Sequence, residues 1–225
     1  MANKCWPAFQ TEFGFVPCYV NSRLTAMGYC VACEVDIYGA LSEYIGTCLS
    51  GEPVTLLDIN NTVPREMYEQ SIQGAFPYRL NETFMGFHCG NTPMCRLVKG
   101  EMRYQLIMKR SLEPDGEPDI TRGTLEGAIA PSEITFYRLQ GNKDGQLQAY
   151  VAEGEILPVD PKSFGGIGVF AIPEMNRFYR HVLIQEGYPH HGAVAFRHVG
   201  KAFFALMQVL GIQKVGFNQP AGMLY

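Results

Sequence analysis

The 225-residue chain has no run of about 18 apolar residues, which excludes a membrane-spanning helix. It has no basic excess either. With 18 Lys and Arg against 22 Asp and Glu, the net charge is -4, and the main nucleic-acid-binding classes are set aside. Charged residues make up 18%, fewer than the roughly 25% of an average domain, which argues against a disordered or solvating tail. The opening Met1-Ala2-Asn3-Lys4-Cys5-Trp6-Pro7 has no apolar stretch of the signal-peptide kind, so a cytoplasmic location is expected. No low-complexity linker and no internal repeat divides the chain. What is present is 47% hydrophobic residues, enough at this length for a sizeable core.

Seven cysteines, Cys5, Cys18, Cys30, Cys33, Cys48, Cys89 and Cys95, all lie in the first half. Their odd number is a poor fit to a disulfide framework. Cys30 and Cys33 have redox or zinc spacing, but no second CxxC or spaced histidine pair completes a structural zinc site. The cysteines are read as buried thiols.

Hydrophobic periodicity predicts a helix capped by Asp36 and carrying Ile37, Leu41, Tyr44, Ile45 and Cys48, ending before Gly51. A strand over 54–59 follows it. Further strands are predicted over 104–108, 125–130, 134–139, 147–156 and 168–172, with Asn142-Lys143-Asp144-Gly145 as a turn. The stretch 111–119, acidic and rich in Pro and Gly, reads as an exposed loop. A helix after Pro173 is stopped by Gly187, a short strand over 192–196 carries His190 and His191 at its entrance, and a last helix is stopped by Gly211. Runs of strands with segregated helices predict an α+β fold around a β-barrel or sandwich, with the opening helix and strand as the edge of an α/β layer.

Two acids stand beside apolar runs in this charge-poor chain, Glu34 and Asp58, where a carboxylate needs a hydrogen bond, an ion pair or a cation. The plainer alternatives are an early-helix acid at Glu34 and an Asx turn closing the strand at Asp58. His190 and His191 are adjacent, and on a strand neighbours face opposite ways, so one imidazole can point at a site; a surface pair is the alternative. His88 ends an apolar stretch at a Gly-rich turn, where backbone can approach a ligand or the ring can simply hydrogen-bond a strand end. Two carboxylates and an imidazole form an oxygen-rich donor set suited to Mn²⁺, Mg²⁺ or Co²⁺.

The same residues carry a resemblance to the L-fucose isomerase family, to the later part of its chains. Similar segments are Cys5-Trp6-Pro7-Ala8, Glu12-Phe13-Gly14, Arg23-Leu24, the run 32–41 containing Cys33-Glu34-Val35-Asp36, and Leu57-Asp58-Ile59-Asn60-Asn61. Phe87-His88-Cys89-Gly90-Asn91 and the run 191–200 beginning His191-Gly192-Ala193 continue the series. Their order, and the 24-residue step from Glu34 to Asp58, speak against chance. The resemblance implies an aldose-ketose isomerase acting through a cis-enediol, with Mn²⁺ (or Co²⁺ or Mg²⁺) held by Glu34, Asp58 and His191. Glu34 would be the proton acceptor and Asp58 the proton donor, with His88, Asn91, Tyr137 and His190 as sugar contacts.

By the same resemblance, residues 1–50 are the remnant of a second α/β domain and 51–225 a C-terminal β-rich domain. Family chains begin with further α/β layers, and their pocket is completed by a neighbouring subunit. A homo-oligomer, or a hetero-oligomer with a chain supplying those layers, is therefore expected. His190 stands where fucose isomerases tend to have asparagine, which leaves the sugar open among L-fucose, the arabinoses and a modified hexose. The alternative is a non-catalytic metal- or sugar-binding or assembly module, or a purely structural protein.

Overall fold

The structure, a computed structural model, describes residues 1–5, 8–103 and 123–218. The predicted strand over 104–108 and the loop over 111–119 lie outside the described residues. Three helices, α1 (Ala8–Phe13), α2 (Cys18–Ala26) and α3 (Ile37–Ser50), precede β1 (Thr55–Thr62) and α4 (Arg65–Ser71). Six strands follow: β2 (Thr83–His88), β3 (Glu101–Arg103), β4 (Thr124–Ala128), β5 (Ser132–Gly141), β6 (Leu147–Leu157) and β7 (Gly166–Ala171). The chain continues through α5 (Met175–Phe178), β8 (His191–Ala195), α6 (Gly200–Val209) and β9 (Val215–Phe217). No helix among the described residues is long and apolar enough to cross a membrane.

The strands form one sheet in the order β3-β4-β7-β2-β1-β8-β5-β6-β9. β6 also pairs with β7, so the strands from β7 round to β6 close into a barrel-like ring, and the fold is α+β as the sequence implied. Side-chain alternation along each strand sorts two cores. Leu57, Phe84, Phe136, Tyr150, Phe170 and Val194, one from each ring strand, meet inside the ring. Tyr137, Leu139, Ala193 and Ala195 point the other way, where α3 and α6 cover them with Ile45, Phe203 and Met207. Gly192 is required at its place, because a Cβ there would run into the Phe136 ring and the Tyr150 hydroxyl. The barrel wall beside His191 is thereby packed tight.

Asp36 caps α3 by accepting from the Gly39 amide at 2.7 Å, and Gly51 ends it at φ 70°, both as the sequence implied. Asn142 accepts from the amides of Asp144 and Gln146, and Gly145 takes φ 76°, making the β5 to β6 turn. The helix expected after Pro173 differs: four α-helical residues give way to a π-helix over Tyr179–Ile184, which turns both Val182 and Leu183 into the core.

Candidate functional site

β1 lies between β2 and β8, and its register sets Asp58 directly opposite His191. Asp58 is thus inside a strand that runs on to Thr62, and does not close the strand in an Asx turn. Glu34 likewise is no early-helix acid. It lies two residues ahead of the cap, and both Glu34 (φ 61°) and Val35 (φ 60°) adopt the left-handed conformation. For a β-branched residue such as Val35 this conformation is strained, by roughly 1–3 kcal/mol. The turn is pinned by Val35 donating to the Asn3 carbonyl and by Asp36 donating to that of Cys33.

From these elements the side chains converge. Nε2 of His191 is 2.9 Å from Oδ1 of Asp58 and 3.7 Å from Oε2 of Glu34, and Nε2 of His190 is 3.5 Å from the same Asp58 oxygen. Single donor atoms of Asp58, His88 and His191 lie within 4.8 Å of one another, as do those of Glu34, His190 and His191. The two adjacent histidines therefore do not face opposite ways. His190 precedes β8 and escapes its alternation, and the rings stand 4.3 Å apart. His191 and His88 are buried, while Glu34 and His190 are exposed.

A second layer fixes His191. Its Nδ1 is 2.9 Å from Oδ2 of Asp36, and Arg138 clamps Asp36 with two bonds of 2.8 Å while donating to the His191 carbonyl at 3.2 Å. Burial alone would raise the Asp36 carboxyl, but hydrogen bonds from His191 and Arg138 outweigh it and hold Asp36 well below the usual carboxylate range. An ionised Asp36 only accepts, so Nδ1 carries the proton and Nε2 is turned toward Asp58 and Glu34. Burial likewise opposes the charged forms of His191 and Asp58. For His191 the two flanking carboxylates prevail and push it up to about 9, and for Asp58 the histidines prevail and lower it. In His88, burial is outweighed by Cys89 and Asp58, and the ring is pushed up to about 9.

Oδ1 of Asp58, Nε2 of His191 and Nε2 of His88 are buried without an aligned hydrogen-bond partner, despite their proximity. An unsatisfied buried polar atom costs about 1–3 kcal/mol, and these three lie close enough together that one cation could be shared among them. Carboxylate oxygen with imidazole nitrogen fits Mn²⁺, Mg²⁺ or Co²⁺.

Of the other residues expected to serve the site, His88 and His190 are brought to it. Asn91 is enclosed behind the His88 turn with neither amide atom hydrogen-bonded. Tyr137 is not brought there: its hydroxyl lies against Gly46 of α3 and its ring centroid is 4.9 Å from that of Phe203. Sequence reasoning missed Arg138 altogether and took Asp36 for a cap alone. The available signal was an arginine inside the apolar run of β5, where a guanidinium demands a buried partner.

A barrel-like ring with acids and imidazoles gathered beside β1 and β8 defines a polar candidate site. The family described as L-fucose isomerase, C-terminal domain, matches residues 86–217, and the chain belongs to the L-fucose isomerase family. Among curated relatives it is similar to a sulfoquinovose isomerase of Clostridium sp. (strain MSTE9), 28% identical over 223 residues, covering 95% of this chain and 43% of that protein. A sulfoquinovose isomerase of Alkalicoccus urumqiensis is 28% identical over 204 residues, covering 89% and 40%. One of Priestia aryabhattai is 24% identical over 218 residues, covering 95% and 43%. The chain spans less than half the length of these relatives.

Proposed function

We propose that the chain carries the metal-binding half of an aldose-ketose isomerase site, in which Glu34, Asp58 and His191 hold Mn²⁺ and His88 borders the sugar. The observation that carries this reading is the convergence of Glu34 Oε2 and Asp58 Oδ1 on the buried Nε2 of His191, at 3.7 and 2.9 Å. Membership of a sugar isomerase family supports it. A bound divalent ion would supply Lewis acidity, polarising the carbonyl of an open-chain sugar and acidifying the C2 proton.

The chain's own residues supply the proton transfers. Glu34, on an exposed loop, takes the C2 proton and returns it to C1. Asp58 is the proton donor, passing the hydroxyl proton between O2 and O1 through a cis-enediol. Asp36 and Arg138 keep Nε2 of His191 aimed at the metal position. The substrate class is an aldose, with sulfoquinovose, the sugar in the relatives' name, beside L-fucose and the arabinoses as candidates. The cleft that begins beyond Asp58, lined by Ile59, Asn60, Asn81, Phe84 and Tyr179, includes none of Glu34, Asp58, His88 or His191. An oligomer, of this chain or with one supplying further layers, would complete the enclosure.

The test is NMR of the chain in D₂O with each sugar, with Mn²⁺ removed and restored. Metal-dependent ketose formation or C2 deuteration, absent in Glu34→Gln, is expected. Exchange that persists in Glu34→Gln or without metal would remove this mechanism. Metal binding without exchange would favour the second reading, a non-catalytic binding or assembly module, which the partial coverage of the relatives supports.

A further inference from the structure

The CxxC spacing misleads about which thiols meet. Cys30 faces the Thr47 hydroxyl at 3.8 Å, whereas the sulfur of Cys33 accepts from the Asn21 amide at 3.1 Å and contacts Cys5. A second contact joins Cys18, at the start of α2, to Cys89, in the turn after β2, within a small cluster that includes Val16. Gly90 makes that approach close. A Cβ at this glycine would overlap the side chain of Cys18, so the two segments touch backbone to side chain. Cys89 also lies 3.8 Å from Nδ1 of His88, one residue from a group of the candidate site. Among the described residues no cysteine is in a disulfide.

We propose that Cys18 and Cys89 form a reversible disulfide under hydroperoxide, making this pair an oxidation site that ties the His88 turn to α2. The inference stands on thiol geometry and does not depend on the isomerase reading. Cys89 is half-buried and gives the oxidant an entry, while Cys18, 4% exposed, is shielded and placed to resolve. The Cys89 thiolate attacks the peroxide O–O bond, giving a sulfenic acid and releasing the alcohol or water. The Cys18 sulfur then displaces water from the sulfenic acid, forming the S–S bond. Overall two thiols and one hydroperoxide give a disulfide, one alcohol (or water) and one water. The two electrons pass from the thiols to the peroxide. A disulfide needs Cα atoms roughly 4.4–6.8 Å apart, and the contact of Gly90 with Cys18 brings the residue next to Cys89 directly against that side chain.

The test treats the reduced full-length chain with hydrogen peroxide, blocks remaining thiols with iodoacetamide and maps peptides by mass spectrometry. A Cys18 to Cys89 cross-link that dithiothreitol reverses is expected. Cys18→Ser should leave Cys89 as a dimedone-trapped sulfenic acid, with circular dichroism confirming the fold. Oxidation of the wild-type chain that yields no such cross-link overturns the proposal whatever the variants do. Sulfinic acid at Cys89 with Cys18 still alkylatable, or cross-links confined to the exposed Cys48 and Cys95, would each be that result.

Discussion

Asp36 accepts from the Gly39 amide, from both terminal nitrogens of Arg138 and from Nδ1 of His191. Were it only a cap, Asp36→Asn would cost about 1 kcal/mol or less. Because it also neutralises a guanidinium that is 4% exposed, the expected loss is about 3–5 kcal/mol in urea unfolding, and Asp36→Ala combined with Arg138→Met should recover most of it. A loss near 1 kcal/mol for Asp36→Asn would show that the ion pair contributes little. Glu43 is the opposite case, a fully buried acid on α3 with neither oxygen hydrogen-bonded. Burial, only partly offset by His88 and the amino terminus, pushes it up to about 8. Its folded value lies above its unfolded one, so its contribution is complete below the ordinary glutamate range and is lost as pH rises toward 8, at up to about 1.4 kcal/mol per pH unit. Glu43→Gln should flatten that slope and leave the variant the more stable protein at pH 8, read from unfolding curves across the range. At this scale the sequence was half legible. Unusual acids and histidines in an apolar chain were visible, but whether Asp36 capped, paired or oriented a ring depended on partners 102 and 155 residues away.

Elements show where that distance enters. Strands β5, β6 and β8 and helices α3 and α6 were readable because turn glycines and periodicity are local, whereas α2, α4 and β9 carry weak patterns of their own. The closure of β6 onto β7 and the placing of β1 between β2 and β8 are long-range pairings that periodicity does not encode. Yet they set Asp58 opposite His191 and thereby make the site. The packing of α3 onto this wall is equally non-local. Gly46 leaves room for the Tyr137 hydroxyl, which has no hydrogen-bond partner of its own. Gly46→Ala should therefore destabilise by about 1–3 kcal/mol despite the better helix propensity of alanine. Adding Tyr137→Phe should return part of the loss, since it removes the overlapping oxygen and an unsatisfied polar group together. Equal losses in the single and double variants would mean that α3 shifts as a body instead.

Across the whole molecule the family match begins at residue 86, yet Glu34, Asp36 and Asp58 precede it and His88, Arg138 and His191 lie within it. The site therefore joins two stretches of chain, the left-handed loop and β1 on one side and the His88 turn, β5 and β8 on the other. Whatever binds at that junction binds only the folded chain, and mass action then stabilises the fold as a unit. If Glu34, Asp58 and His191 hold a divalent cation, Mn²⁺ at one hundred times its dissociation constant should add about 2.7 kcal/mol, seen as a rise in Tm that a chelator reverses. Asp58→Asn keeps the volume and removes the charge, so it should abolish most of that rise and also lower the metal-free Tm. The second half of the prediction follows from the histidines around Asp58, which outweigh burial and favour its ionised form in the folded chain, so that form contributes stability above the ordinary aspartate range. A Tm indifferent to Mn²⁺ in the parent chain, or one that rises equally in Asp58→Asn, would place the cation elsewhere and leave Asp58 a partner of His190 and His191 alone.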